Sequence, residues 1–399
     1  MRELQPFGGL RSARFRPEGA SPRRSCAHGV RKGLPEALEL FPDPEAAAVF
    51  FPPRCPNSDC AMHRSPTARF VNRCGTYRPQ CRAHVVHRFR CRHCGKTFSR
   101  QTFRADYRDH KPDRNARVVE LLCSGIGLRQ TARVVGMTAR NTAMKFRKIA
   151  RHCRHLNANL QQDLPPGSSL QFDELETYET RRNTRPLTLP ILLERQSRCI
   201  LAARSAPIRA SGKKTPKRAQ AIRDDAERFG RRPSRSRAAV RNALRKGASL
   251  CRGLSSIVLE TDEKSTYPVL AKEVFGEKLV HTTTPSTAPR TTWNPLFPIN
   301  HTEAVVRDLN GRLRRESWLV SKRRWFLNLQ LQIYTAFRNF VRPRFNRDTQ
   351  TPAQLLGWMP QPLTTHQLLS WRQDWGTRSG HPLTMAALPI EGWRLADSA

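Results

Sequence analysis

The amino-acid sequence predicts an α/β protein in which a larger mixed domain follows two small modules. Three observations lead to this prediction. Cysteine pairs are concentrated between residues 50 and 105, short helical segments with apolar periodicity lie between 112 and 158, and β-rich and helical segments alternate between 168 and 345. A chain of 399 residues is long enough for two or three such units.

The charge of the chain indicates a polyanionic partner. Lys and Arg number 71 against 32 Asp and Glu, which gives a formal net charge of +39. A small domain needs roughly 2 to 8 net charges to stay soluble, so solubility alone does not explain this excess. Nucleic acid is the polyanion that most often neutralises a folded basic protein. A solvated surface that reflects a strong arginine bias is the alternative.

Membrane and secretory classes are disfavoured. No apolar segment follows the first arginines, so no signal peptide is expected, and no stretch approaches the roughly 18 apolar residues of a membrane helix. We therefore expect no membrane partner and a reducing cytoplasm, where clustered cysteines indicate metal rather than disulfides. Residues 1–49 mix Arg, Pro, Gly and Ser, and we expect them to form a poorly ordered basic arm.

Two cysteine pairs predict a structural zinc site in a zinc ribbon over residues 50–105. Cys55 and Cys60 form a C-x4-C pair, and Cys91 and Cys94 form a C-x2-C pair. Four thiolates on two tight turns suit tetrahedral Zn²⁺, and the metal stabilises a segment too small to bury its own core. Neighbouring residues that could compete as ligands are interpreted as unpaired loop residues: Cys74, Cys81, His63, His84, His87 and His93.

The apolar spacing of residues 112–158 predicts three short helices, over 116–123, 128–135 and 138–153. Glycine-containing breaks separate them, and Thr138 is the expected N-cap of the third. This pattern is typical of a helix-turn-helix domain, whose last helix reads the major groove of DNA. We expect that helix to contact DNA through Arg140, Asn141, Lys145, Arg147 and Lys148. A plain three-helix bundle with a solvated basic face is the alternative.

Three acids lie at positions that suit a catalytic cluster. A predicted strand near 168–174 carries Asp173, a second near 255–262 ends with Asp262, and a helix that opens at 300–303 places Glu303 in its first turn. Strand, strand and helix start is the arrangement by which a ribonuclease-H-like sheet brings three carboxylates together. Such a cluster can hold two Mg²⁺ or Mn²⁺ ions about 4 Å apart for phosphodiester chemistry.

The sequence therefore predicts a ribonuclease-H-like catalytic domain over 168–345. Glu174, Glu176 and Glu263 are close competitors for the catalytic positions, and any single acid at a strand end is commonly a turn or cap residue. Residues 301–341 are predicted to form one long helix. On that helix Arg307, Asn310 and Arg314 follow Glu303 at about one, two and three turns, where they could hold the DNA backbone.

Two further segments are less defined. The basic stretch 205–252 is interpreted as an insert in the catalytic domain, and it is nearly as well explained by a flexible linker as by a phosphate clamp. Its expected cations include Lys213, Lys214, Arg231, Arg232 and Arg245. The C-terminal tail 346–399 is dotted with Pro and Trp and matches no pattern.

Several short motifs together resemble bacterial insertion-sequence transposases of the insertion-sequence-one type and their zinc-ribbon relatives. The matching pieces are Cys55-Pro56-Asn57 before Cys60, the run Arg90–Phe98, Phe172–Glu176, Thr261-Asp262, Asn300–Glu303 and Leu309–Arg315. Each motif is short, so the resemblance is specific only in combination. The long interval between the first two acids departs from the family pattern.

The resemblance implies that Asp173, Asp262 and Glu303 form a metal-binding DDE triad that cleaves DNA and transfers strands. It also implies that the ribbon and the helix-turn-helix bind terminal inverted repeats, that target DNA is a second partner, and that the chain forms a homo-oligomer on DNA at the bacterial nucleoid. Two alternatives remain open at this point: a zinc-ribbon transcription regulator without chemistry, and a nuclease or Holliday-junction resolvase on the same fold.

Overall fold

The computed structural model describes residues 52–78, 85–212, 215–314 and 318–371, all within one compact unit. The arm predicted for residues 1–49 lies outside these ranges, as do the end of the predicted tail and Lys213, Lys214, Cys81 and His84. The chain has a mixed α/β fold with a cysteine cluster near the beginning of its described part. No helix in the described ranges is long and apolar enough to cross a membrane.

The cysteine-rich segment folds around a three-stranded antiparallel sheet. It contains α1 (Ala61–Arg64), β1 (Val71–Tyr77), β2 (Val86–Cys91) and β3 (Thr97–Ser99). Phe89 on β2 pairs with Phe98 on β3, and both rings pack with Phe70 and Phe103 in a small apolar cluster next to the cysteines. Four aromatic rings are a small core, so a metal ion bound by the cysteines would add to the stability of this segment.

Three helices follow where the apolar spacing predicts them: α2 (Asn115–Leu122), α3 (Leu128–Val134) and α4 (Ala139–Leu160). Thr138 is the N-cap of α4, and its Oγ1 accepts a hydrogen bond from the Asn141 amide at 3.2 Å. Helix α4 continues past its predicted end at 153, because Leu156 and Leu160 prolong the buried stripe at helical spacing.

A mixed sheet forms the centre of the molecule. Its strands are β4 (Ser169–Tyr178), β5 (Pro186–Glu194), β6 (Ile200–Ala203), β7 (Ala206–Pro207), β8 (Ile257–Asp262) and β9 (Leu279–Thr284). The spatial order is β6-β5-β4-β8-β9, and β7 pairs with β5. Strand β5 is antiparallel to β4 and β6, whereas β8 and β9 run parallel to β4. Gln171 on β4 lies opposite Glu260 on β8, so the residues two positions further on, Asp173 and Asp262, reach the same level of the sheet.

The segment predicted as a basic insert contains two helices, α5 (Pro216–Phe229) and α6 (Ser236–Ala248). Helix α6 is part of the core, because its apolar side buries Val240 and Leu244. At Gly247 an added Cβ would lie 2.5 Å from a methyl carbon of Leu192 on β5, so the helix packs too closely on the sheet for a side chain there. The interpretation of 205–252 as an insert is therefore corrected for its second half, whose arginines occupy the outer side of a core helix.

Helices cover both faces of the sheet. Phe172 packs edge-on against Tyr267 of α7 (Thr266–Phe275), with ring centroids 5.0 Å apart. Its neighbour Gln171 points to the other face and bonds the first turn of α8 (Phe297–Leu309). Helices α6 and α7 therefore lie on one face, with the Arg241 guanidinium of α6 2.6 Å from the Glu273 carboxylate of α7, and α8 lies on the opposite face.

The predicted single helix over 301–341 is wrong, because the chain forms two helices. Helix α8 ends at Leu309, the backbone extends at Asn310, and α9 (Arg324–Phe340) begins only later. Helix α8 also begins earlier than predicted, at Phe297, because Pro298 favours the first turn. Glu303 therefore lies in the middle of α8 and not in its first turn.

The three helices of residues 112–158 share one core with the sheet. The Phe146 ring of α4 stacks on Phe326 of α9 at 6.1 Å, and Asn157 Nδ2 donates to the Gln332 carbonyl at 3.0 Å. Part of the predicted tail joins them through α10 (Pro352–Leu355) and α11 (Thr365–Ser370). The His152 ring bonds the Leu368 carbonyl at 2.8 Å, and burial lowers the pKa of His152 to about 4. The helices and the sheet are thus packed as one body.

Candidate functional site

The four predicted zinc ligands meet at one point. All four cysteine Sγ atoms, of Cys55, Cys60, Cys91 and Cys94, lie within 4.8 Å of one another. The Sγ atoms of Cys55 and Cys94 are 3.5 Å apart, and those of Cys60 and Cys91 are 3.9 Å apart. Four thiolates about 2.3 Å from a tetrahedral zinc would lie about 3.8 Å from one another. The donor set therefore fits zinc in both chemistry and spacing.

The local backbone explains how the cysteines converge. Gly95 has φ of +70°, a conformation that favours glycine, and its amide donates to the Cys91 carbonyl at 2.9 Å. Burial raises the pKa of Cys55 and of Cys60. Burial also acts to raise the pKa of Cys94, but hydrogen bonds from the Lys96 amide and neighbouring thiols lower it to about 7. Of these three cysteines, Cys94 is therefore the one whose pKa favours the thiolate form near neutral pH.

The competing ligands take other roles in the described ranges. His63 Nδ1 lies 2.7 Å from the Cys55 carbonyl, which places its ring behind the ligand rather than in the cluster. His93 Nδ1 lies 3.5 Å from Cys60 Sγ at the edge of the site. In the described part of the chain, the cysteine set is the only group of three or more His, Cys, Asp or Glu whose ligand atoms all lie within 4.8 Å.

The three predicted catalytic acids face a common region at one edge of the sheet. Asp173 lies on β4, Asp262 ends the adjacent strand β8, and Glu303 lies on α8. Burial raises the pKa of Asp173, and the charge of Asp262 adds to the effect. Burial also raises the pKa of Glu303, to about 8, and the charges of Asp173 and Asp262 contribute. The charges of Asp173 and Asp262 thus act on Glu303, and that of Asp262 acts on Asp173, so the three carboxylates lie near one another.

Glu303 is the most unusual member of this group. Its Oε1 is buried, and no described residue gives it a hydrogen bond. The charges of Arg307 and Arg290 favour ionisation but do not outweigh burial. A buried carboxylate oxygen without a partner is costly, so this position is suited to a bound cation.

Other oxygens of the cluster are also available. Asp173 Oδ1 accepts from the Glu174 amide at 2.6 Å, and Asp262 Oδ1 accepts from the Lys264 amide at 3.1 Å. Within the described residues, the three acids do not bring one oxygen each within 4.8 Å of the other two. Carboxylate oxygens are the hard donors that Mg²⁺ and Mn²⁺ prefer, so the donor set fits these metals.

Gln171 positions this cluster and was missed at the sequence level. Its Nε2 donates to Glu260 Oε2 at 2.6 Å and to the Pro295 carbonyl at 2.8 Å, and its Oε1 accepts from the Ile299 amide at 3.0 Å. One fully buried amide thus joins β4, β8 and the first turn of α8. The available signal was a Gln inside an apolar strand, two positions before Asp173 and on the same face.

Glu174, the nearest competitor of Asp173, has a structural role. It points to the opposite face, where Thr188 Oγ1 and Ser236 Oγ each donate to its Oε1 at 2.7 Å, and Tyr267 and Lys264 bond its Oε2. Although burial acts to raise the pKa of Glu174, these hydrogen bonds lower it. Its carboxylate holds α6 and α7 to β4 and is fully occupied.

The other two competitors also lie apart from the three acids. Glu176 is exposed on the same face as Glu174, by the alternation of β4. Glu263 lies in the turn after β8, and its Oε2 accepts from the Ser286 amide at 3.3 Å. Neither carboxylate replaces Asp173 or Asp262 in the cluster.

The predicted DNA contacts on α8 are largely corrected. Arg307 remains near the acids, and its guanidinium donates to the Glu176 carbonyl at 3.2 Å. Asn310 is fully buried, and its Nδ2 donates to the Val306 carbonyl at 2.8 Å, so it cannot contact a phosphate. Arg314 lies beyond the helix and donates to the Asp308 carbonyl at 3.3 Å. Since α8 ends at Leu309, the two residues do not continue its face.

Two of the five predicted contacts on α4 are also corrected. Lys145 is only 6% exposed, and its three N–H groups are used by Asp109 Oδ2, the Lys111 carbonyl and Asn115 Oδ1, at 2.7 to 3.0 Å. Lys148 donates to the Tyr107 carbonyl and to Asp109 Oδ1. Position 145 falls on the buried stripe of α4, so both lysines hold the chain segment that leads into α2.

Arg140, Asn141 and Arg147 are exposed, as a DNA contact requires. Helical spacing places them beside further exposed residues that the sequence reasoning did not single out. These are Met144 and Arg151 on α4 and Arg129 and Arg133 on α3. The outer side of α3 and α4 is therefore a continuous basic surface.

Comparisons with known proteins add little to this geometry. No family model matches the chain, and no curated protein matches it. A chain in the cryo-EM structure of a simian T-cell lymphotropic virus intasome in complex with PP2A regulatory subunit B56 gamma is similar at 11% identity, over 60% of this chain and 71% of that chain. The TM-score is 0.24, which is too low to support a shared fold. The residues themselves therefore carry the functional assignment.

Proposed function

We propose that this chain is a metal-dependent DNA transposase with a DDE triad, similar to the zinc-ribbon insertion-sequence transposases that its motifs resemble. The observation that carries the proposal is the Glu303 carboxylate on α8, whose buried Oε1 has no hydrogen-bond partner among the described residues and whose pKa is raised by burial and by the charges of Asp173 and Asp262. Three acids on two adjacent strands and a helix match the arrangement expected of a ribonuclease-H-like site.

The strand order supports the same assignment. Three antiparallel neighbours, β6, β5 and β4, continue into the parallel strands β8 and β9, and helices cover both faces. This is the order expected of a ribonuclease-H-like sheet, in which the first acid lies on the central strand. The site lies where β4 and β8 run side by side, so two acids from distant parts of the chain become neighbours.

Divalent metal bound at this site supplies charge neutralisation and activation of an attacking oxygen at a phosphodiester. The residues of the chain determine where that chemistry occurs. Gln171 fixes the angle between α8 and the sheet, so that Glu303 faces the two aspartates. Backbone amides hold one oxygen of Asp173 and one of Asp262, which leaves the remaining oxygens free to orient a ligand. Arg307 places a cation beside Glu303, where a DNA phosphate would approach.

DNA binding is assigned to the basic surface of α3 and α4 and to the cysteine module. The exposed side of α4 carries Arg140, Asn141 and Arg147. The first two lie at the exposed N-terminal end of the helix. The net charge of +39 supports a polyanionic partner. Terminal inverted repeats and target DNA are the proposed partners, and assembly of several copies on DNA is part of this proposal.

A transcription regulator is a weaker explanation of the same features. A binding protein has no need for three neighbouring, half-buried carboxylates, because their desolvation costs stability. Selection for stability alone would replace them with neutral residues. The cluster is therefore better explained by chemistry than by fold maintenance.

The direct test uses the purified full chain, duplex DNA with the inverted repeats that flank its gene, and Mg²⁺. We expect wild-type protein to cut at the repeat ends and to join the freed 3′-hydroxyl to a second duplex. Asp262→Asn removes one metal-binding charge and should lower cleavage by at least about 10³-fold while binding to the repeats persists. Glu227→Gln, an exposed acid on α5, is the matched control and should leave cleavage unchanged.

The products separate the candidate reactions. Joined products identify a transposase, whereas cleavage without joining identifies a nuclease. Cleavage confined to four-way junctions identifies a resolvase. An Asp262→Asn protein that cuts repeat DNA at the wild-type rate would show that the carboxylate cluster is not the active site.

A further inference from the structure

A cavity lies beside α8, on a side of the helix away from Glu303. Its volume is about 640 Å³, in the range of small-molecule sites. The α8 residues that line it are His301, Ala304, Val305, Asp308 and Leu309. Successive helix residues are about 100° apart, so the directions of 301, 305 and 308 differ from that of Glu303 by about 140° to 160°. The cavity and the carboxylate cluster therefore lie on different sides of the same helix.

The opposite wall of this cavity is rich in arginine. It is formed by the end of α9 and the following loop, with Arg338, Arg342, Arg344, Arg347, Phe345, Asn346 and Asp348. Of the two acids in the lining, Asp348 is already bound to the Arg344 guanidinium at 2.7 Å, and Asp308 is mostly exposed. The remaining guanidinium charges have no matching carboxylate in the lining.

Two buried arginines hold positive charge at this cavity: Arg338 lines it, and Arg198 lies behind it, against the lining residues His301 and Phe345. Arg338 is 3% exposed, and its guanidinium donates to the Pro343 and Arg344 carbonyls at 3.1 and 2.8 Å rather than to an acid. Arg198 is also buried, and its guanidinium lies 4.3 Å from the centre of the Phe345 ring. It also donates to His301 Nδ1 at 2.8 Å. Carbonyl and ring contacts orient these cations without cancelling their charge.

The arginines are close enough to repel one another. Burial lowers the pKa of Arg198 to about 10, and the charges of Arg344 and Arg338 contribute. Crowded cations are unfavourable in isolation, and an anion in the cavity would relieve their repulsion.

We infer that this cavity binds a phosphate group. Four arginines line one wall of it, and guanidinium forks match the oxygens of phosphate better than those of a single carboxylate. Arg342 and Arg347 stand at the rim, where an entering phosphate meets them first. The expected source, which rests on the proposed function, is a phosphate of the DNA backbone. A free phosphate compound is the other source of the same chemistry.

The test begins with the anion itself. Inorganic pyrophosphate is titrated into the full-length protein by calorimetry, with Arg342→Ala/Arg347→Ala compared against the matched pair Arg223→Ala/Arg228→Ala on α5, which removes the same charge from an exposed surface. We expect the rim pair to weaken binding by at least about 10-fold, and the control pair by less than about 2-fold. Thermal melting of each variant confirms that the fold is intact.

The second arm identifies the source. Affinity for a duplex is measured against salt concentration, in the Asp262→Asn background so that no cleavage intervenes. If both rim arginines contact backbone phosphates, the slope of log K against log salt falls by about 2 relative to the control pair. If pyrophosphate binding is lost while the DNA slope is unchanged, a free phosphate compound is the ligand. Both results support the cavity as a phosphate site.

One result overturns the inference: the rim and control pairs lower pyrophosphate and DNA affinity equally. That outcome would reduce the cavity to part of the general positive charge of the chain. It would leave the proposed transposase activity untouched, since cleavage is measured separately at Asp262. Arg342→Lys/Arg347→Lys adds a second check, because it keeps the charge and removes the guanidinium forks. It should bind pyrophosphate with an affinity between those of wild type and the alanine pair.

Discussion

The cysteine cluster and the carboxylate cluster are two candidate metal centres that are assembled in opposite ways. The cysteines come from two short turns of one small sheet, and their sulfurs already lie within 4.8 Å of one another. The carboxylates come from two strands and a helix that are far apart in the chain, and the core of the whole molecule brings them together. Metal bound by the cysteine cluster would therefore stabilise its own local sheet, whereas the carboxylate cluster depends on the folding of the whole core.

This difference predicts the largest effect at the cysteines. Structural zinc contributes apparent binding free energies of about 10 to 16 kcal/mol in small modules, which the four-ring aromatic core of this segment could not replace. Chelation, or Cys91→Ser, should therefore unfold residues 52–99 while the central sheet stays folded. Hydrogen exchange measured by segment would show rapid exchange in β2 and slow exchange in β4.

Cys74→Ser on β1 serves as the control, because Cys74 is outside the cluster and should keep one zinc per chain. Metal analysis that finds no zinc in the wild-type protein would contradict the assignment. Global unfolding on chelation would show instead that the cysteine segment and the sheet are energetically inseparable.

The second effect concerns the segment that joins the two regions. Lys145 and Asp109 form a buried ion pair at 3.0 Å that ties residues 107–111 to α4. Lys145→Met keeps most of the volume but leaves Lys148 as the one cation on Asp109, whose Oδ2 still accepts from Asn115 Nδ2 at 3.1 Å. Breaking a buried pair from one side costs about 3 to 5 kcal/mol. Denaturant unfolding measures the loss, and Arg151→Met, an exposed change on the same helix, should cost less than about 0.5 kcal/mol.

The third effect separates positioning from metal binding. Gln171→Leu leaves the Ile299 amide and the Pro295 carbonyl without their bonds, at a cost of about 1 to 3 kcal/mol per buried group. Because the three acids are retained, Mn²⁺ should still bind, but α8 should be less well placed. We expect weaker Mn²⁺ affinity and slower cleavage, with DNA binding unchanged. Full wild-type Mn²⁺ affinity in this variant would show that Gln171 does not position the site.

The last effect is a pH dependence. Burial raises the pKa of Glu303 from its ordinary value of 4.5 to about 8, so the folded protein holds a proton that the unfolded chain releases over this interval. Metal-free stability should therefore fall as pH rises from about 4.5 to about 8. Mn²⁺ must displace that proton, so its stabilising effect should grow over the same interval.

Glu303→Gln removes both dependences, and thermal melting at pH 5, 6, 7 and 8 with and without Mn²⁺ measures them. The variant should be more stable than wild type at pH 8 without metal. A wild-type melting temperature that rises across this interval without metal would contradict the assigned burial of Glu303.

The local features of the molecule were predictable from sequence. The four cysteines and the Thr138 cap are set by residues close in the chain, and the structure places them as expected. The strands that carry Asp173 and Asp262 were also located correctly, because β-rich runs are strong signals. Whether the three acids catalyse a reaction stays a prediction.

The errors share a physical cause, because each depends on tertiary contacts. The sequence pattern places Lys145 among surface cations, whereas in the fold it is buried in an ion pair with Asp109. Helix α6 looks like a basic insert because its arginines outnumber the few apolar residues that reach the sheet. No proline breaks the chain at Asn310; the end of α8 contacts a distant segment instead, where the Gly125 amide donates to the Leu309 carbonyl at 2.9 Å. Gln171 acts through the backbone of α8, more than 120 residues away, which no local pattern reports.

The stacking of Phe146 on Phe326 has a mechanical consequence. Helix α4, which faces outward with Arg140 and Arg147, and the sheet that holds Asp262 share one core with no linker between them. If α4 binds a duplex, the carboxylate cluster cannot move relative to α4. The protein would then hold the two at a fixed distance along the DNA. The fold would then fix the number of base pairs between the sequence that α4 binds and the bond that is cleaved. Inserting base pairs between them would change which bond is cleaved but would leave the binding position of α4 unchanged.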